Sequence, residues 1–376
     1  VGSLLTTKVK KYLLIGFKIV AMLGLLTLIG IQVHWRDYQV ISPAGEMLVR
    51  PGLSSSLNGF KLLPFLCAII FQLVTVFFTS FRWRLLMLVQ GINLNRASVI
   101  RLAFLGEFFN HFLPGALGGD AVKAYYVIKH TGQKGATLVS IFANRFAGLC
   151  LLCIISAAML VGLLLTGLGG TIDLKQPVFS IFVIAAGIGM ILLLSLNARL
   201  NNSASLRRLI SILPFSRQLE KVLVALHRYR ETGSLLPAVI FHSLLTVAAF
   251  VISVMFVGMS LGVELSWYHY FLYLPLIAIM TAVPVTPGGV GVLEELFLYF
   301  FSAAGDPNKI LAMALLYRLV LLLCGSPGAV IFLSSEKISR QEFAADMNEI
   351  DEEAIELEKS NATGELSSLP NPKGGQ

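Results

Sequence analysis

Asn110-His111-Phe112-Leu113-Pro114-Gly115-Ala116-Leu117-Gly118-Gly119-Asp120 sets helix-breaking residues and a carboxylate inside an otherwise apolar run. An unpaired backbone N–H or C=O in hydrocarbon costs several kcal/mol, so a broken helix at membrane depth persists only where protein or a water-filled cavity satisfies it. A second stretch has the same character: Pro284-Val285-Thr286-Pro287-Gly288-Gly289-Val290-Gly291-Val292-Leu293-Glu294-Glu295. Thirty-one residues separate Pro114 from Arg145, and the same interval separates Pro287 from Arg318. The equal spacing points to an internal repeat.

The whole chain is 56% hydrophobic and 13% charged, with a mean hydropathy of +0.79. A soluble domain carries about a quarter charged residues. The expected fold class is therefore all-α, a polytopic membrane protein. Apolar windows of full spanning length, about 17–25 residues, fall at 12–33, 60–81, 136–165, 178–196, 236–261 and 310–333. Two shorter stretches, 97–113 and 267–283, each run into a Pro-Gly break and read as re-entrant or interrupted helices. The first apolar run lacks a small-residue cleavage site after it and reads as a retained anchor.

Charge sets the expected topology. Lys8, Lys10 and Lys11 precede the first window, Arg82 and Arg84 follow the second, and a basic cluster from Arg199 to Arg230 follows the fourth. The positive-inside rule assigns these, and both termini, to the cytoplasm. The net charge of +8 thus faces anionic lipid and is no nucleic-acid signal. Segment 199–232 reads as a cytoplasmic basic amphipathic element, and 336–376 as an acidic, largely disordered tail behind a membrane domain at 1–335. With this topology the repeats, around 97–165 and 267–333, enter from opposite sides. Inverted repeats with discontinuous helices are the architecture of many secondary transporters, whose substrate sits where the repeats meet.

The polar residues inside this framework are the candidate substrate-binding and translocation set. Glu107, Asn110 and His111 are spaced i, i+3 and i+4 on one helix face. Asp120 reads both as a helix N-cap and as part of a substrate path, and the two roles are compatible. Arg145 and Arg318 lie well inside their spans, where an arginine costs about 2.5–3.5 kcal/mol unless it faces a partner or water. Glu107 or Asp120 is the candidate partner for Arg145, and Glu294 or Glu295 for Arg318. A guanidinium also matches phosphate oxygens. Pro114, Gly115, Gly118, Gly119, Pro284, Pro287, Gly288, Gly289 and Gly291 read as backbone breaks and hinges.

Cys67, Cys150, Cys153 and Cys324 all fall in apolar spans and read as small packing residues. The scattered histidines form no metal or nucleophile constellation, and no nucleotide or hydrolase motif occurs. The expectation is no metal, no cofactor and no catalytic site.

The pattern Asn-x-x-Leu-Pro-Gly-x-x-Gly-Gly-Asp at 110–120, Asn144-Arg145, the Pro-x-Thr-Pro-Gly-Gly-x-Gly run with its acids at 284–295, and Tyr317-Arg318 resembles the lysylphosphatidylglycerol synthase transmembrane-region family. This is the flippase-like membrane part of bacterial multiple peptide resistance proteins, and the similarity extends from about residue 12 to residue 333. The resemblance implies a multi-pass protein of the bacterial cytoplasmic (inner) membrane that moves phospholipid or polyprenyl-linked lipid between leaflets. It adds Lys123, where the family pattern often has Arg, to the candidate set. The soluble aminoacyl-transfer domain of the full synthases is not expected in this chain, and neither is lysyl transfer. The leading expectation is a flippase for an anionic lipid, with membrane lipids as partners. Two alternatives are an accessory scaffold for a separate lipid-modifying enzyme, and an intramembrane transferase using Glu107 or Asp120 as base.

Overall fold

The computed structural model describes residues 27, 36–41, 47–50, 52–112, 118–167, 235–282, 286–302 and 304–334. The expected spans at 12–33 and 178–196, the basic segment, the acidic tail, and Pro114, Gly115 and Pro284 lie outside the described residues. The chain divides into two units, Val1–Ala329 and Val330–Gln376. Everything below concerns the first, apart from the helical end of the last helix.

A short antiparallel ribbon comes first, β1 (Tyr38–Ile41) against β2 (Met47–Arg50), with Tyr38 opposite Arg50. It is the one departure from the all-α expectation among the described residues. A short helix, α1 (Leu53–Ser56), follows. Outside the membrane, the Ser55 hydroxyl and the Gly52 N–H both bond the Asp37 carboxylate and hold its pKa below the usual aspartate value.

The membrane helices are α2 (Leu62–Val89), α3 (Arg96–Phe112), α4 (Gly118–Thr131), α5 (Lys134–Thr166), α6 (Leu236–Ser260), α7 (Trp267–Thr281), α8 (Val292–Phe301) and α9 (Pro307–Ser334). Among the described residues α2, α5, α6 and α9 are long and apolar enough to cross a membrane. They are apolar around the whole circumference, with leucines such as Leu63 and Leu165 exposed, as lipid-facing helices are. By contrast α3 and α7, at 17 and 15 residues, reach only about 25 Å and 22 Å at 1.5 Å per residue. Both fall short of the roughly 30 Å hydrocarbon core. They are the interrupted elements expected at 97–113 and 267–283.

One expectation about a boundary changes. The second window ends at residue 81 because Arg82 and Arg84 look like a flank, yet α2 continues through Val89. The apolar run Leu85-Leu86-Met87-Leu88-Val89 carries the helix on, and Arg82 turns into the protein instead of outward.

Packing between helices rests on small residues and side-chain-to-backbone bonds, as expected where lipid removes the usual hydrophobic drive. The α2–α6 pair is joined along its length: Lys61 N–H donates to Ser260 O at 2.8 Å, Ser253 Oγ to Ala68 O at 2.8 Å, and Arg82 Nη1 to Ser243 Oγ at 3.0 Å. Pro275 inside α7 removes a backbone donor. Close by, Ser156 Oγ of α5 donates to Leu272 O at 3.3 Å. One buried cluster, including Leu272, Ile277, Phe297, Phe301, Ile310 and Met313, binds α7, α8 and α9 together. A second, around Trp83, Met87, Val99, Val127 and Ile141, does the same for α2, α3, α4 and α5.

Candidate functional site

Each break is followed by a helix whose third residue is an acid, and each acid meets an arginine on a long helix. Asp120 is third in α4 and pairs with Arg145, the twelfth residue of α5. Glu294 is third in α8 and pairs with Arg318, the twelfth residue of α9, at 2.5 Å. Of the partners the sequence leaves open, the structure takes Asp120 over Glu107 and Glu294 over Glu295. Asp120 stands inside the first turn of α4, and its carboxylate is engaged by side chains.

The two pairs are built differently. Asp120 is shared, since Lys123 Nζ also lies 2.5 Å from its Oδ1 and sits over the Trp83 ring at 5.2 Å. Glu294 is instead held by Arg318 with both oxygens, at 2.5 and 2.9 Å, and accepts the Gly291 N–H at 2.8 Å. Arg318 further donates from Nη1 to Gly288 O at 3.1 Å and from Nη2 to Gly289 O at 2.9 Å. Gly288, Gly289 and Gly291 have φ of 61°, 66° and 84°, a backbone that excludes ordinary side chains and that leaves carbonyls without helical partners. Arg318 satisfies two of them, which is what lets the Pro287–Gly289 turn exist at this depth. Thr286 Oγ1 adds a bond to Val290 O at 2.9 Å across the same turn.

Glycine acts for another reason at the first break. Gly118 and Gly119 stand in the opening turn of α4, and neither has a positive φ among the described residues. A Cβ on Gly119 would strike the Gly106 carbonyl and lie 2.6 Å from Asn110 Oδ1. Its own N–H donates to that Asn110 oxygen at 3.0 Å. Gly119 therefore permits the close return of α4 along α3, and Asn110 secures it.

The breaks then come together. The end of α3 lies on the Pro287–Gly289 turn, where a Cβ on Gly288 would stand 3.3 Å from His111 O. Between them is a cavity of about 240 Å³, lined by Asn110, His111, Arg145, Ala278, Thr281, Ala282, Thr286, Gly288, Gly289, Leu293, Arg318 and Leu321. Among the described residues its lining has two arginines and no carboxylate. Asp120 and Glu294 stand behind their arginines, and Lys123 behind Asp120. Glu107 lies beneath His111, its Oε1 3.9 Å from Nε2. Glu295 does not line the cavity, and its Oε2 is buried without a hydrogen bond among the described residues.

Thr281 and Thr286 also line the cavity; a threonine in an apolar stretch carries no signal of its own, although Thr286 stands within the Pro-x-Thr-Pro motif. Arg82 is likewise an interior residue, although its place at the end of an apolar window reads as a flank. No group of three or more potential metal ligands occurs among the described residues.

A chain of helices long and apolar enough to cross a membrane, with an arginine-lined cavity between two broken helices, is of the polytopic membrane class. The chain is a member of the family described as the lysylphosphatidylglycerol synthase TM region, whose family model matches residues 52–327. It is also similar to a UPF0104 membrane protein of Pyrococcus horikoshii, 23% identical over 279 residues that cover 68% of this chain and 82% of the relative.

Proposed function

We propose that this protein moves an anionic, phosphate-bearing lipid between leaflets and has no catalytic role of its own. The observation that supports this reading is the cavity lining: two arginines and no carboxylate among the described residues, at a position where both broken helices meet. Its volume of about 240 Å³ is below the roughly 300–1,000 Å³ of pockets that enclose whole drug-sized ligands. That size suits a polar head group whose tails stay in the bilayer.

The two arginines then have distinct tasks. Arg145 can turn from Asp120 to an incoming phosphate because Lys123 remains to neutralise Asp120. Arg318 has no such freedom, since its departure strands Glu294, 4% exposed, and two glycine carbonyls. Arg145 is the head-group hook and Arg318 the clamp of the second break. The matched positions of the two pairs support an inverted repeat, and rocking of its halves about the cavity gives alternating access. The proposed setting is the bacterial cytoplasmic membrane with both termini inside.

The test uses purified protein in vesicles carrying a fluorescent phosphatidylglycerol, followed by its accessibility to an impermeant quencher. The protein should accelerate exchange between leaflets. Arg145→Ala should slow it on the order of ten- to a hundredfold, the equivalent of one charge-assisted hydrogen bond of about 1.5–3 kcal/mol. Equal rates with and without protein would remove the transport reading.

A further inference from the structure

Arg145, Lys123 and Arg318 each stand against a carboxylate, but Arg82 has none within ion-pair distance among the described residues. It is only 5% exposed. Its Nε donates to Asn144 Oδ1 at 2.8 Å and its Nη1 to Ser243 Oγ at 3.0 Å, and both acceptors are uncharged. A guanidinium has five N–H donors. Among the described residues those two bonds leave the Nη2 amine unbonded and the charge uncompensated, a costly arrangement beside hydrocarbon. Facing it on α5 is Gly148, where a Cβ would stand 3.2 Å from Nη2. Glycine there lets the backbone pass without a side chain covering the amine.

Depth indicates what completes the site. Arg82 lies seven residues before the end of α2, about 10 Å at 1.5 Å per residue. The 28-residue helix is about 42 Å long against a hydrocarbon core of about 30 Å, so a centred α2 places Arg82 about 4 Å inside the boundary. That depth is close to the phosphate layer.

We infer that Arg82, framed by Asn144, Ser243 and Gly148 at the junction of α2, α5 and α6, binds a phosphate anion at the leaflet boundary, with a lipid head group as the source that its depth favours. This site is separate from the cavity, whose lining does not include Arg82. Asn144 and Arg145 are neighbours in sequence but point about 100° apart around α5. The inference does not rest on the transport reading.

The experiment measures thermal unfolding of the full chain in detergent, in an Arg145→Ala background that removes the cavity's proposed hook. Three probes are added in turn: dioctanoyl-phosphatidylglycerol, dioctanoylglycerol, and inorganic phosphate. We expect the phospholipid to raise Tm and the phosphate-free diglyceride to leave it unchanged. A rise with inorganic phosphate as well assigns the same site to the free anion. Adding Arg82→Gln should abolish the rise. Gly148→Ala, which keeps the arginine but crowds Nη2, should diminish it and serves if the glutamine variant does not fold. The inference fails if neither phosphate probe shifts Tm, or if the shift is the same with Arg82→Gln and Gly148→Ala. Either result leaves Arg82 a link between helices only.

Discussion

Arg145 and Arg318 occupy equal positions yet respond differently to removal. Arg318→Ala leaves Glu294 buried, at 4% exposure, without its cation, and loss of one partner of a buried pair costs about 3–5 kcal/mol. Arg145→Ala leaves Asp120 still paired with Lys123, and Arg145 itself is 32% exposed. We expect denaturation in detergent to show a clearly larger stability loss for Arg318→Ala, and equal losses would contradict the clamp assignment. Both arginines were legible in the sequence because a charge deep in an apolar span is rare and their spacing from a Pro-Gly break repeats. Their different loads were not legible, since the bonds from Arg318 to Gly288 and Gly289 depend on how the turn folds back. Arg82 was misplaced for a physical reason: a cation near the end of an apolar window looks the same in sequence whether it faces water or Asn144.

Among the elements, the close return of α4 on α3 depends on one missing side chain. Gly119→Ala drives a Cβ into the Gly106 carbonyl, a backbone atom that cannot swing aside. Overpacking of this kind costs about 1–3 kcal/mol. Gly162→Ala in α5 meets nothing within 4 Å and removes a helix-interior glycine, so it should be neutral or stabilising by up to about 1 kcal/mol. Paired melting curves of the two variants check the contrast, and a neutral Gly119→Ala would disprove the contact. The lengths and ends of α3 and α7 followed from sequence because Pro-Gly breaks end helices whatever the tertiary setting. The β1–β2 ribbon did not, because two four-residue strands in a polar connector carry too short an alternation to stand out from a loop.

At the scale of the molecule, all residues of the cavity and of both acid–arginine pairs fall within Val1–Ala329. A chain ending at Ser334 should therefore exchange lipid in vesicles at the full-length rate. A loss of transport on that truncation would contradict the assignment of the whole transport site to the first unit. The all-α membrane class was evident from composition alone. The meeting of residues near 111 with residues near 288 was only suggested by the repeat spacing, because contacts across such a separation are set by the packing of every helix between.

The hydrogen bonds joining α2 to α6 also bear on how the protein is made. Ser243 follows Arg82 by 161 residues, and Ser253 follows Ala68 by 185. At about 5–20 residues per second of synthesis, Arg82 precedes its second acceptor by on the order of ten to thirty seconds. During that interval α2 has no α6 to receive its polar groups. Until α6 arrives Arg82 lacks its Ser243 acceptor, so the α2–α6 seam is among the last contacts the first half of the chain can complete.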